Sequence, residues 1–357
     1  MHYCGFEPQP EDKTMIHSKK IRYSILELAT ISQGTSIHET LKNSLDLAQK
    51  AEGLGYERFW LAEHHNSQNI ASSATAILIG YIAGGTNRIR VGSGGIMLPN
   101  HSPLIVAEQF GTLASLYPGR IDLGLGRAPG TDQATAHAIR PDRMNSVYRF
   151  PDEIAQILEY MSEENQDAGV RVPIAEGVDI PLYILGSSTD SAKVAAKLGL
   201  PYAFASHFAT TYLFDALNIY YNEFQPSQYL KEPYTIAGIN VFAADTDAEA
   251  EKLSTTLIRM FLSVFTGKRE YLQEPVEMTP DLREIAENPA IHQMLKYTFA
   301  GNKSSVKKQT EEFLKQTGVD ELMVVTNTYD HRDRLKSYSI FSEIMQDIQV
   351  SSTAPAL

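Results

Sequence analysis

Two adjacent histidines close a short apolar run, Phe59-Trp60-Leu61-Ala62-Glu63-His64-His65-Asn66. Imidazole titrates near neutrality, so a histidine where a buried strand ends can exchange a proton with a bound molecule. Neighbouring residues at a strand end point to opposite sides, so at most one of His64 and His65 faces a pocket easily. A lone histidine of this kind is more often a structural, hydrogen-bonded one. Glu63 reads equally as an ion-pair partner inside the fold, and Asn66 as a polar wall. A metal site is disfavoured, because neither a helical histidine pair nor a carboxylate triad accompanies the doublet.

The same change from apolar to small or reactive residues recurs. The run 89–93 leads into Gly94-Gly95, where a missing side chain lets backbone approach a ligand or simply makes room for packing. The run 121–125 leads into Gly126-Arg127, and a guanidinium offers forked donors to a phosphate. The spacing in Gly124-Leu125-Gly126-Arg127-Ala128-Pro129-Gly130 is not the dinucleotide fingerprint, and no clear helix opens behind it. Arg149 starts the following helix, as a second phosphate ligand or as half of an exposed ion pair. Gly186-Ser187-Ser188 with Ser191 joins a strand to a helix, where free N–H groups and the helix dipole bind anions. A plain N-cap is the alternative for Ser188, and for both serines the cap and an anion site can be one structure. No Gly-x-Ser-x-Gly elbow supports a hydrolase. Trp60, Tyr202, Phe204 and Phe208 line a ring pocket or belong to the core. His101 reads as a rim residue, Glu108 and Gln109 as groups reaching inward from a helix, and His207 as a strand-end residue able to face the site. Asp132, Arg140 and Arg143 have no assignable role.

These residues need elements that bring them together. Strands are expected at 21–28, 58–61, 89–93, 121–125, 182–185, 202–206, 234–244 and 321–327. Helices are expected at 36–52, 72–84, 103–116, 151–161, 189–198, 210–224, 247–265 and 332–348. Such alternation implies right-handed crossovers and a parallel sheet. Eight units fit a closed TIM (β/α)₈ barrel with insertions after several strands. An open doubly wound sheet is less favoured, since no linker splits the units into halves. Segments 128–149, 162–180 and 266–303 read as additions, the last as a lid over the face where the strands end. Residues 1–18 read as a flexible extension, 19–349 as the barrel domain, and 350–357 as a frayed tail.

A hydrophobic share of 43% in 357 residues is enough for a sizeable core. The formal charge of −12 argues against a general nucleic-acid binder while leaving room for a local basic pocket. Cys4 is the single cysteine, so neither an intrachain disulfide nor a cysteine-rich metal site can form. No apolar stretch spans a membrane and the first residues lack a signal-peptide core, so a cytoplasmic setting is expected.

In AEHHN (62–66), VGSGGIMLPNHSPLIVAEQ (91–109), GRIDLGLGR (119–127) and LGSSTDSAKVAAKLGLPYAFASHF (185–208) the chain resembles the bacterial luciferase-like, flavin-dependent monooxygenases. The likeness runs from about residue 21 to 348, closest to the single-chain oxidoreductases of that family. It implies reduced FMN as cosubstrate, O₂, a small organic substrate, a separate flavin reductase and a homodimer. It implies His64 beside the flavin ring as acid/base or orienting group, with His65 hydrogen-bonded behind it. It implies a non-proline cis peptide at Gly94–Gly95 against the flavin and the Ile96 backbone at the pyrimidine edge. Arg127, with Arg149, Ser188 and Ser191, would hold the phosphate. Luciferase itself has a cysteine where this chain has Gly126, so cysteine chemistry is not expected. Two rivals share the barrel: a deazaflavin (F420)-dependent dehydrogenase, and a non-catalytic flavin-binding barrel, against which eight strands count.

Overall fold

The computed structural model describes residues 20–128, 130–268 and 270–353. The extension expected at 1–18 lies outside them. Among the described residues ten strands form one sheet: β1 (Arg22–Glu27), β2 (Arg58–Leu61), β3 (Arg90–Ser93), β4 (Ile96–Met97), β5 (Ile121–Gly126), β6 (Leu182–Gly186), β7 (Tyr202–Phe204), β8 (Thr235–Ala243), β9 (Thr298–Gly301) and β10 (Glu321–Val325). Every pairing is parallel, and β10 bonds to both β8 and β1. That double pairing closes β1, β2, β3, β5, β6, β7, β8 and β10 into an eight-stranded barrel, with helices between them. The fold is therefore a TIM (β/α)₈ barrel.

Strands buried on both faces must be apolar on both, which is why they read as continuous runs. Outward residues such as Ile25, Phe59, Leu61, Val91 and Leu123 join the helices in one large core. The alternate residues Leu26, Trp60, Tyr183, Ala203, Ile236 and Met323 form a second cluster with a member from each of six strands, the barrel interior. Towards the strand starts that interior is ionic. Arg58 donates to Glu321 at 2.8 Å, Asp122 at 2.7 Å and the Tyr183 hydroxyl at 2.7 Å, with Trp60 Nε1 on Asp122 at 3.1 Å. Buried charges are tolerated only when paired in this way. The cluster fills the lower barrel, and the strands' carboxyl ends surround the other opening.

The expected strands and helices are present, with ends shifted by a few residues. Five elements were not foreseen in kind. β4 is a two-residue resumption of β3 after Gly94-Gly95, paired with β5. In 128–149 lie the short helices Gln133–Ile139 and Arg143–Tyr148. The helix Lys303–Thr317 buries only Val306, Thr310, Phe313 and Thr317, so two of its four inward positions are threonines and the apolar period is masked. β9 lies inside the segment read as an addition. The last helix runs to Thr353, into the stretch expected to fray, and 354–357 lie outside the described residues.

β8 is nine residues long and rises above its neighbours. Its lower part pairs with β7, and Asn240–Ala243 pair with β9 instead. Phe242 and Ala244 pack with Leu253, Leu257 and Phe261 of the helix Asp247–Phe265, forming a small core of their own. The chain beyond that helix crosses between loops at the carboxyl ends of strands. Leu272 exchanges backbone bonds with Ile31 and Gln33 after β1, at 3.0 and 2.8 Å. Gln293 exchanges bonds with Thr210 after β7, each 2.7 Å.

Candidate active site

The residues after β2 are organised by Glu63, which is 1% exposed. It accepts hydrogen bonds from His65 Nε2 at 2.9 Å, His101 Nε2 at 2.9 Å, Asn100 Nδ2 at 3.1 Å and the Met97 amide at 3.0 Å. Burial alone would raise its pKa. The bonds from His101 and His65, the charge of His101 and the Met97 amide outweigh burial and bring it down to about 2. Glu63 is thus the ion-pair partner that the sequence allowed. Its bonds reach β4 and the turn beyond Gly94–Gly95, so one carboxylate ties two strand ends together.

His64 and His65 do diverge. His65 turns to Glu63, and its backbone is clamped to the loop after β5 by Gly130 O at 3.2 Å and Thr131 Oγ1 at 3.0 Å. Asn66 adopts a left-handed backbone, φ +49°, and donates to Asp132 at 3.0 Å. His64 is half-buried, with its amide on Ser72 O at 2.9 Å. Its neighbour in the field of charges is His207, beyond β7, which is half-buried too. Burial and the His64 imidazole together push the His207 pKa down to about 4.

The peptide Gly94–Gly95 is cis, with Gly94 N on Leu61 O at 2.8 Å. A side chain on Gly94 would meet Leu26 at 2.6 Å and Trp60 at 3.0 Å, and one on Gly95 would meet Gly124 O at 2.7 Å. Both glycines are therefore required by close packing. Ile96 is buried and pairs with Leu125.

At the end of β5, Arg127 forms an ion pair with Asp190 in the first turn of the helix Thr189–Leu198, at 3.0 Å. Ser188 is that helix's N-cap residue, and its hydroxyl does not cap it. Ser191 is buried and donates to Ser188 O at 3.0 Å, beside the Tyr202 hydroxyl at 3.2 Å. Arg127, Ser188 and Ser191 are thus brought to one helix start, with a carboxylate already standing as an anion against the guanidinium. Arg149 is exposed at the N-cap of Phe150–Met161, and among the described residues no hydrogen bond joins it to that group.

Several sequence expectations change. Glu108 and Gln109 are exposed on the outside of Pro103–Leu116 and do not reach inward, because that helix buries Val106, Ala107 and Phe110 instead. Tyr202 and Phe204 belong to the outer core and Phe208 is exposed, leaving Trp60 as the aromatic of the four inside the barrel. Asp132 caps Gln133–Ile139, and Arg140 bonds His101 O and Glu153. The Glu63 hub was missed as a hub, since His101 lies far along the chain and nothing in the local pattern pairs them. The Arg58 cluster was missed as well; a charged residue opening an otherwise apolar strand was its one signal.

Comparison with known proteins shows the family and the fold. The family model described as "Luciferase-like monooxygenase" matches residues 21–339. The chain is 48% identical over 325 residues to a Bacillus subtilis protein, YvbT, covering 91% of this chain and 96% of that one. It is 44% identical over 330 residues to a luciferase-like monooxygenase of Escherichia coli, covering 92% and 98%. It is 32% identical over 336 residues to the N-acetyl-S-alkylcysteine monooxygenase of B. subtilis, covering 90% and 98%. Among solved structures, apo-MsnO8 superposes with a TM-score of 0.83 at 34% identity, covering 91% of this chain and 98% of that one. The oxygenating constituent of 3,6-diketocamphane monooxygenase from Pseudomonas putida, solved with FMN, has a TM-score of 0.65 at 15% identity, covering 91% and 97%.

Proposed function

The chain belongs to the luciferase-like monooxygenase family, and on that premise we propose that it is an FMN-dependent monooxygenase acting with O₂ on a small organic substrate. The observation that carries the reading is the meeting of Arg127, the Ser188 cap and a helix N-terminus at the end of the barrel where His64 also emerges. That donor set fits a phosphate monoester: a forked cation, an unused cap hydroxyl and the positive end of a helix dipole. Asp190 is the anion that a phosphate would replace.

In this reading Arg127 and Ser188 hold the phosphate, Ser191 props the Ser188 carbonyl, and Arg149 approaches from the next helix start. The Gly94–Gly95 peptide and the Ile96 backbone border the ring. Reduced FMN, when bound, supplies the electrons that activate O₂. His64 holds or releases a proton at an imidazole nitrogen beside the reacting atoms. The barrel wall, with Trp60, and the cover from Leu272 to Gln293 keep water out. No nicotinamide site belongs to this reading, so a separate reductase supplies the reduced flavin. By the name of the B. subtilis relative, an N-acetylated thioether amino acid is a reasonable first substrate to try.

The test is an anaerobic titration of the wild type and Arg127→Ala with reduced FMN and with reduced riboflavin. Loss of the phosphate contact should weaken FMN by about tenfold, the scale of one charge-assisted bond, and leave riboflavin nearly unchanged. Equal weakening of both removes Arg127 from the phosphate site. If neither redox state of FMN binds the wild type while reduced F420 does, the deazaflavin dehydrogenase replaces this reading. Flavin binding without substrate-dependent O₂ uptake leaves a flavin-binding barrel.

A further inference from the structure

We infer that His207 is a hydrogen-bond donor, presenting Nε2–H at the barrel mouth to an oxygen of the bound flavin or of the organic substrate. The inference rests on the flavin reading only for the identity of the acceptor; the state of the ring follows from its surroundings.

His207 Nδ1 is buried and has no hydrogen-bond partner among the described residues. Nε2 has none either, yet it is not among the buried unpartnered atoms, so it reaches the accessible side of this half-buried residue. The ring occupies space released by Gly238, where any Cβ would lie 2.4 Å from Nδ1. Gly238 shares the inward face of β8 with Ile236, so the imidazole sits across the inner wall of the barrel. The turn that carries it is fixed. Ser206 Oγ donates to Gly238 O at 2.7 Å, Asn240 Nδ2 donates to His207 O at 2.6 Å, and the ring meets Phe208 edge-on at 4.9 Å.

A neutral imidazole carries its proton on one nitrogen. A proton on Nδ1 would be an N–H buried without an acceptor, whereas a proton on Nε2 remains solvated or meets a ligand. The Nε2–H tautomer follows. Nothing pulls the ring toward a second proton: burial opposes the charge, the His64 imidazole opposes it too, and no carboxylate among the described residues counteracts them. A donor that stays neutral over the working pH range polarises an oxygen without giving up its proton, as a general acid would. His64 and His207 then divide the work, one exchanging protons and the other orienting.

The test uses full-length protein with ¹⁵N-labelled histidine rings, His207 being assigned by its loss in His207→Gln. The expected spectrum shows the Nε2–H tautomer, unchanged between pH 5.5 and 8.5. A titrating ring, or an Nδ1–H tautomer, overturns the inference whether or not flavin binds. FMN is then added, followed by N-acetyl-S-methylcysteine. A His207 Nε2 shift with FMN assigns the acceptor to the flavin, a shift only with the thioether assigns it to the substrate, and no shift with either overturns the contact. His207→Phe should weaken whichever probe shifts the ring by five- to tenfold, and His207→Gln, which keeps an N–H donor, by less than threefold. Equal weakening by both variants would mark a packing role and sink the proposal. Failure of FMN to bind the wild type would count against the proposed function alone, since the tautomer and its pH independence are read without it.

Discussion

Glu63 earns its place by what it holds. Four donors converge on a carboxylate with almost no exposure, two of them the imidazoles of His65 and His101. Replacing it with glutamine would present an N–H to some of those donors and leave others unsatisfied. The gap between an ordinary value of 4.5 and about 2 corresponds to about 3 kcal/mol of stabilisation. The sign follows from linkage. The unfolded carboxyl binds protons at higher pH than the folded one, so this stabilisation is full above about pH 4.5 and drains away as pH falls towards 2. Glu63→Gln should therefore lower the unfolding free energy by about 2–3 kcal/mol at pH 7. The difference from wild type should shrink at pH 3. Urea titrations at the two pH values measure both quantities, and equal stability at pH 7 would show that the four bonds contribute nothing net.

At the level of elements, the turn from β6 into the helix Thr189–Leu198 leaves least room. A Cβ on Gly186 would lie 1.8 Å from Ser191 Oγ and 2.4 Å from Ser191 Cβ, so the first helical turn would have to move. Gly186→Ala should weaken FMN binding tenfold or more, a disturbed anion site, while riboflavin falls less and the far-ultraviolet dichroism is retained. Gly53 is the contrast: it lies inside Ile37–Leu54 with open space where a Cβ would be. Gly53→Ala should add about 0.5–1 kcal/mol of stability and leave binding alone. The elements differ in the same way in how far the chain's residue pattern reveals them. The eight barrel strands are legible because double-sided burial forces apolar runs, and each ends where small or charged residues begin. Lys303–Thr317 was hidden by threonines on its buried face, and β9 by its place within a polar stretch. His64, Gly94, Gly95, Arg127, Ser188 and Ser191 stand out because each breaks such a run. Glu63 also does, but its partners His101 and Asn100 are joined to it only by the closure of the barrel. Glu108 and Gln109 show the converse: polar residues near a motif, placed outside by their helix's own buried stripe.

At the scale of the molecule, the outer surface of the early helices remains to be explained. Thr75–Gly84 is apolar nearly all round, and a helix of that kind is ordinarily buried. Its residues Ile77 and Tyr81 are nevertheless 74% and 42% exposed, and lie one turn apart on one face. Ile105 and Leu116 are exposed on the adjoining helix Pro103–Leu116. The homodimer that the family resemblance implies would place a second copy of the chain on this face. Two copies at −12 each repel, so association must come from apolar burial that outweighs the charge. Salt screens the repulsion and leaves apolar contact intact, so the dimer should tighten as ionic strength rises, the reverse of an ion-paired interface. Sedimentation equilibrium of the wild type in low and high salt, alongside Ile77→Glu, tests both parts. The wild type should be dimeric with a dissociation constant that falls with salt, and the glutamate variant monomeric but folded, with unchanged far-ultraviolet dichroism, since Ile77 is already exposed in the single chain. A monomeric wild type at tens of micromolar would end the proposal. A dimer that salt dissociates would assign the interface to charged surfaces elsewhere and leave these helices without a partner.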